Sequence, residues 1–196
     1  MNIVFGKWEV PKVEVEQGLK KYISLQPRIL PRTSGRLANK RFYKSKMFIV
    51  ERLLNKLMVS GHRGKKHNKT SMRFTGMKAQ ATKILMKTLE IIYNKTKENP
   101  IKVLVKAIEN AAPREEIVPI EYGGARYPKA VDCAPQRRID LALRWFIHSA
   151  YDKSFNGAKA IEDNLADEVI YAYRADGKSF AISKKLQLEQ QAAANR

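Results

Sequence analysis

Two adjacent arginines are the residues in this sequence best placed for chemistry. Arg137 and Arg138 follow Pro135, and beyond them apolar side chains recur at Ile139, Ala142, Leu143, Phe146, Ile147 and Ala150. That spacing is one face of a helix, so both arginines fall in its first turn. The macrodipole disfavours cations there by a few tenths of a kcal/mol up to about 1 kcal/mol per charge. A phosphate at this position reverses the sign, because it accepts guanidinium hydrogen bonds and the helix's free N–H groups together. The competing arrangement is a salt bridge to Asp132 or Asp140. Arg126 and Lys129 before the helix, and Arg144 one or two turns along it, extend the same cationic surface.

Other chemistry fails on spacing. Gly177-Lys178-Ser179 has the ending of a phosphate-binding loop, but the glycine required at the start of that pattern is replaced by Ala172, in a helical run with no strand before it. The segment 61–70 fails the same spacing. Cys133 adjoins Asp132, whose charge raises a thiol pKa and lowers its reactivity. His148 lies near a helix's apolar stripe, where a histidine is more often structural. One cysteine and three histidines exclude an internal disulfide and any multi-cysteine zinc site, and His62 and His67 lie in a basic loop that repels cations. No catalytic set, cofactor or metal is expected.

The elements that must position these arginines belong to a strongly basic chain. Its 196 residues carry 38 Lys and Arg against 19 Asp and Glu, a formal charge of +19. Between Arg28 and Lys87 there are 17 basic residues and a single acid, Glu51, leaving 21 basic and 18 acidic residues elsewhere. Like charges at that density oppose a compact chain until a polyanion neutralises them. A surface serving only solubility would mix both signs. No apolar run approaches the roughly 18 residues that span a bilayer. The N-terminus lacks the pattern of a secretory signal, so a cytosolic protein is expected.

The pattern predicts a mainly α fold in two parts: an extended N-terminal extension over residues 1–46, basic toward its end, and one helical domain over 47–196. Phe42 and Tyr43 stand among Lys40, Arg41, Lys44 and Lys46, a mixture that clamps phosphates and stacks on bases. Met47, Val50, Leu53, Leu54, Leu57 and Met58 begin the helical period, and Ser60-Gly61 ends it, with Gly61 suited to the left-handed position. A basic loop follows over 61–76, with Arg63, Lys65, Lys66, Lys69 and Arg73. The next helix spans about 77–96, with Met77, Ala81, Ile84, Leu85, Leu89 and Ile92 inward and Lys78 on another surface. Asn99-Pro100 reads as an N-cap and first helical residue, opening a third helix to about residue 111.

Residues 115–134 differ. Val118, Ile120 and Tyr122 alternate, Gly123-Gly124 intervenes, and the extended pattern resumes over 127–131. Both central residues of a primed turn need positive φ, so this is a β-hairpin. Pro119 and Pro128 bar it from the interior of a large sheet. It should project from the body and gain support from a partner. A fourth helix opens at Pro135. A fifth spans about 157–173, with Glu162, Asp163, Asp167 and Glu168 on its outer face, and a last helix spans about 180–194. About six helices therefore form a bundle with one protruding two-stranded hairpin.

Several stretches in order along the chain resemble the S-seven family of small-subunit ribosomal proteins, in its archaeal and eukaryotic branch. They include Ile49-Val50-Glu51-Arg52-Leu53, Asn99-Pro100-Ile101, the run Ala107-Ile108-Glu109-Asn110-Ala111-Ala112-Pro113-Arg114-Glu115-Glu116, Tyr122-Gly123-Gly124, Ala134-Pro135-Gln136-Arg137-Arg138, Asp140-Leu141-Ala142-Leu143-Arg144 and the closing Ala194-Asn195-Arg196. Trp8 and Thr33-Ser34-Gly35-Arg36 look like the archaeal-type extension. The resemblance implies binding to the 3′ major, or head, domain of small-subunit ribosomal RNA and a primary role in assembling the head. It implies that the hairpin lies by the exit-site tRNA and the mRNA channel, and that the partners are RNA and neighbouring head proteins. Neither a membrane nor a second copy of the chain is expected, and the location implied is the cytoplasmic ribosome. In the last helix, Ser183, Leu186, Gln187, Gln190, Gln191 and Ala193 replace positions usually charged in the family, leaving Lys184 and Lys185 as its candidates.

The expected RNA contacts are therefore Lys40, Arg41, Lys44, Lys46, Arg63, Lys65, Lys66, Lys69, Arg73, Lys78, Arg114, Arg126, Lys129, Arg137, Arg138, Arg144, Lys184 and Lys185, with Gly123 and Gly124 forming the hairpin turn. A helical DNA-binding regulator is the rival. It would concentrate its contacts on one recognition helix, whereas these cations spread over arm, loop, helices and hairpin. An RNA-modifying enzyme would need a cofactor cradle or a convergent acid–base set.

Overall fold

In the computed structural model, residues 3–37, 39–63 and 70–196 are described, and Lys65, Lys66 and Lys69 lie outside them. Among the described residues seven α-helices and two small sheets follow one another: β1 (Ile3–Val4), β2 (Trp8–Glu9), α1 (Gln17–Lys20), α2 (Ile49–Leu57), α3 (Lys78–Thr96), α4 (Pro100–Ala111), β3 (Glu115–Tyr122), β4 (Ala125–Asp132), α5 (Pro135–Ser154), α6 (Ile161–Tyr173) and α7 (Phe180–Ala194). Single 3-10 turns occupy Tyr43–Lys46 and Met72–Phe74.

Helix α6 is central, packed against α3, α4 and α5, while α2 lies on α3 and α5. The inward stripes deliver Leu53, Leu54, Leu57, Leu85, Leu104, Phe146, Leu165 and Val169 to one core. Full burial of each such side chain contributes about 1.5–3 kcal/mol. Of the stripe expected on α3, Ala81, Leu85, Leu89 and Ile92 are buried, but Met77 is exposed because the helix begins after it.

Local signals set the boundaries. Asn99 Oδ1 accepts from the Ile101 N–H at 2.9 Å, and Pro100 fills the first helical position. The Asn99 amide also donates to the Glu9 carbonyl at 2.8 Å, tying the arm to the helix start. The arm is largely extended, yet it is docked: Val4, Leu19 and Ile23 join the core. Gly61 does not take the left-handed role expected of it. The helix closes at Leu57, with Met58 in right-handed geometry. Glycine is required at 61 because a Cβ would lie 2.6 Å from the Thr70 carbonyl carbon.

The hairpin pairs Glu115 with Asp132 through to Tyr122 with Ala125, and its turn places Gly123 at φ 57° and Gly124 at φ 79°. Pro119 and Pro128 face each other. Hydrogen-bonded and open pairs alternate outward from a two-residue turn, so the prolines fall on an open pair and cost the ladder no bond. The tip is exposed, with Tyr122 81% accessible.

Candidate nucleic-acid interface

The basic end of the arm folds its cations onto aromatic rings. Lys40 and Lys46 lie 5.6 and 4.5 Å from the centre of the Tyr43 ring, and Arg41 lies 5.0 Å from that of Phe42. Each contact at an exposed site contributes about 0.5–1 kcal/mol and leaves N–H groups free for an anion. Phe42 does not dock on the core: it is exposed, at φ 65°. Lys44, in the same turn, is engaged differently. It pairs with Asp140, which also binds Arg52 at 3.0 Å. These cations hold the Asp140 carboxyl below its usual pKa despite the opposing effect of burial.

Glu51, the one acid of the basic third, is wholly buried. Its Oε1 accepts from the Thr33 N–H at 2.6 Å, from the Thr33 hydroxyl at 3.0 Å and from Lys78 at 3.1 Å. Lys78 therefore spends its charge joining α3 to α2 and the arm.

Arg137 and Arg138 part company. Arg137 is exposed, 2.7 Å from the Glu116 carboxylate at the hairpin base. Arg138 is only 8% exposed, donating to the Pro113 carbonyl at 3.0 Å and to Glu16 at 3.3 Å. Its guanidinium stitches the arm, the end of α4 and the start of α5 together. The two arginines therefore differ in setting: Arg138 is engaged within the protein, whereas Arg137 stands at the surface. The carboxylates involved are Glu116 and Glu16, not Asp132 or Asp140.

Arg63 pairs with Asp152 and donates to the His148 carbonyl at 3.3 Å. On the hairpin, Arg126 stands 3.9 Å from Glu121. Lys184 donates to Gln187 at 2.8 Å, and Lys185 donates to the Asn110 carbonyl at 2.8 Å, where it caps the end of α4. Arg73, Arg114, Lys129 and Arg144 are exposed, and their side chains meet no carboxylate among the described residues. Arg28, Arg32 and Arg36, absent from the expected contacts, line a shallow recess on the arm with Thr33. Their place in the basic segment was the signal for them.

The family model for ribosomal protein S7p/S5e matches residues 19–196. The chain belongs to that family. Among its relatives, the small ribosomal subunit protein uS7 of Nanoarchaeum equitans is 53% identical over 194 residues, covering 98% of each chain. Proteins of the same name from Methanothrix thermoacetophila and Methanothermobacter thermautotrophicus are 47% and 46% identical, covering 98% and 96% of this chain and 99% and 96% of theirs.

In this S7p/S5e ribosomal protein the two groups that resemble catalytic side chains are both shifted toward their neutral forms. The Cys133 thiol is pushed up to about 11, mainly by burial and then by Glu116, so the neighbour expected to act, Asp132, is not the cause. Burial lowers His148 to about 4, with Arg63 and Arg144 adding repulsion. Among the described residues no cluster of three potential metal ligands occurs, and no helix is long and apolar enough to cross a membrane.

Proposed function

We propose that this chain is a non-catalytic structural constituent of the small ribosomal subunit in the cytoplasm. It binds the 3′ major domain of small-subunit ribosomal RNA and nucleates assembly of the head, beside neighbouring head proteins. The hairpin, with Arg126, Lys129 and the Gly123-Gly124 turn, reaches toward the exit-site tRNA and the mRNA channel. Lys40, Arg41, Lys46, Arg73, Arg114 and Arg144 supply the phosphate contacts with the greatest freedom to do so. Lys44, Arg63, Lys78, Arg126, Arg137, Lys184 and Lys185 contribute where an RNA phosphate displaces or shares their present partners. Lys65, Lys66 and Lys69 add to the same loop. The observation that carries this reading is the set of cations without carboxylate partners in a member of a ribosomal family, since an unpaired basic surface gains most from a polyanion.

The test is binding to a transcribed 3′ major domain in competition with duplex DNA. The folded RNA should win at moderate salt, because the cations follow no single groove-reading helix. Replacing Lys40, Arg41 and Lys46 together by Gln should weaken RNA binding about tenfold or more, with the fold intact. Preference for the duplex would favour a DNA-binding regulator. Arg138→Glu is not a clean probe, because it would bury an acid beside Glu16.

A further inference from the structure

A cavity of about 350 Å³ opens between the end of α2 and the middle of α5. Its walls combine two chemistries. Lys56, Arg63 and Arg144 bring three cations, while Val59 and the buried Ile147 supply an apolar side. His62 and His148 complete the lining. The volume lies within the roughly 300–1,000 Å³ range of clefts that hold small ligands.

The charges are unbalanced. Arg63 has Asp152, but neither Lys56 nor Arg144 forms a salt bridge or hydrogen bond among the described residues. Burial lowers the Lys56 pKa, Asp140 opposes that effect, and Arg144, Lys44 and Arg52 lower it further. His148 lies on the same α5 face as Arg144 and Asp152, and it meets the loop after α2 directly: Arg63 donates to its carbonyl at 3.3 Å, and the His62 backbone hydrogen-bonds its imidazole and favours the charged form. Cations that repel one another around an open space are stabilised by an anion placed in it.

We propose that this cavity seats one nucleotide of the ribosomal RNA, its phosphodiester held by Lys56, Arg63 and Arg144 and its base laid against Val59 and Ile147. The site rests on the reading that the chain binds ribosomal RNA, and deepens it by naming a place where backbone and base are gripped together. His148 acts as a proton-linked member of the site. Burial first, and then repulsion from Arg63 and Arg144, keeps the free imidazole neutral; the charge of a seated phosphate opposes these effects, so binding draws a proton onto the ring and affinity rises as the pH falls. Asp152 already favours the charged imidazole and is held by Arg63, so the phosphate adds to its effect.

The experiment uses the full chain and a transcribed 3′ major domain. Lys56→Gln with Arg144→Gln should weaken binding about tenfold and make the salt slope shallower by about 1, the signature of a lost phosphate contact. Lys178→Gln, an exposed cation in the turn before α7, should change neither. With the free imidazole at about 4, a bound ring restored to its ordinary 6.5 gives about a tenfold rise in affinity from pH 7.5 to 5.5, and His148→Gln should remove most of that rise. In the free protein, uridine monophosphate should shift the imidazole NMR signals of His148, and the double variant should abolish the shift. If RNA binds with wild-type affinity and salt slope to the double variant, the nucleotide seat is wrong while the ribosomal reading stands. If the RNA does not bind the wild-type chain at all, both fall.

Discussion

Glu168 is wholly buried on α6, yet all its neighbours are donors. Its Oε1 accepts from the Ser179 hydroxyl at 2.7 Å and the Ala181 N–H at 3.1 Å, and its Oε2 from the Ser149 hydroxyl at 2.7 Å and Lys153 at 3.1 Å. The sequence places it on an outer acidic face with Glu162, Asp163 and Asp167. Helical periodicity locates a side chain to within about one position, and cannot register that serines from α5 and the start of α7 converge on it. Burial of the charge is tolerable because each oxygen has two donors. His148 shows the opposite economy, staying neutral because it is partly buried and because Arg63 and Arg144 repel its charged form. Its folded pKa, about 4 against 6.5 when unfolded, means that the unfolded chain takes up its proton first on acidification. The stability it lends is complete above pH 6.5 and disappears as the pH falls toward 4. Because the residue is only partly buried, solvent screening cuts the effect to about 1–2 kcal/mol. Urea unfolding at pH 7 and pH 4.5 should therefore show a smaller acid loss in His148→Gln than in the wild type. Equal losses would mean that the imidazole already protonates freely in the folded chain.

The hairpin is the element whose support the sequence described least well. Its existence was legible, because Gly123-Gly124 between alternating runs allows little else and the prolines bar a wider sheet. The partner holding its base belongs to the chain itself. The Ala130 N–H donates to the Asn195 carbonyl at 3.3 Å, the Arg114 N–H donates to Glu189 at 3.0 Å, and Arg196 pairs with Glu115. These contacts join residues far apart in sequence, so no local pattern announces them. The same limit hid β1 and β2, whose two-residue strands are too short for a period, and the close approach that demands Gly61. The caps and stripes of α3 to α5 were legible because they are local. Removing residues 189–196 should loosen the hairpin without dissolving the bundle. Amides of Arg114 and Ala130 should exchange with solvent about fivefold faster, matching the loss of one hydrogen bond of about 1 kcal/mol, while those in the middle of α6 keep their protection. Unchanged exchange at Ala130 would show that the hairpin stands on its own ladder.

At the scale of the molecule, the concentration of charge between Arg28 and Lys87 overstates the field that RNA meets. Acids from elsewhere reach into that third: Asp140 takes Lys44 and Arg52, Asp152 takes Arg63, and Glu162 lies 3.6 Å from Lys87, while Glu51 takes Lys78 from within. What remains unpaired among the described residues there includes Lys40, Arg41, Lys46, Lys56 and Arg73. The fold sorts the cations into struts that close the arm over the bundle and a free set that a polyanion can neutralise. The two sets respond to salt in opposite ways. Exposed unpaired charges repel over a screening length of about 10 Å at 0.1 M salt, which shortens as salt rises, so added salt relieves the free protein. The buried or half-buried struts are screened far less. Raising sodium chloride from 20 mM to 0.5 M should therefore shift the urea midpoint of the free chain upward, while affinity for the 3′ major domain falls by several orders of magnitude. A midpoint that falls with salt would show the exposed ion pairs outweighing the repulsion. The unpaired cations would then impose no strain for RNA to relieve, and the gain in stability on binding would have to come from the ordering of the arm and hairpin alone.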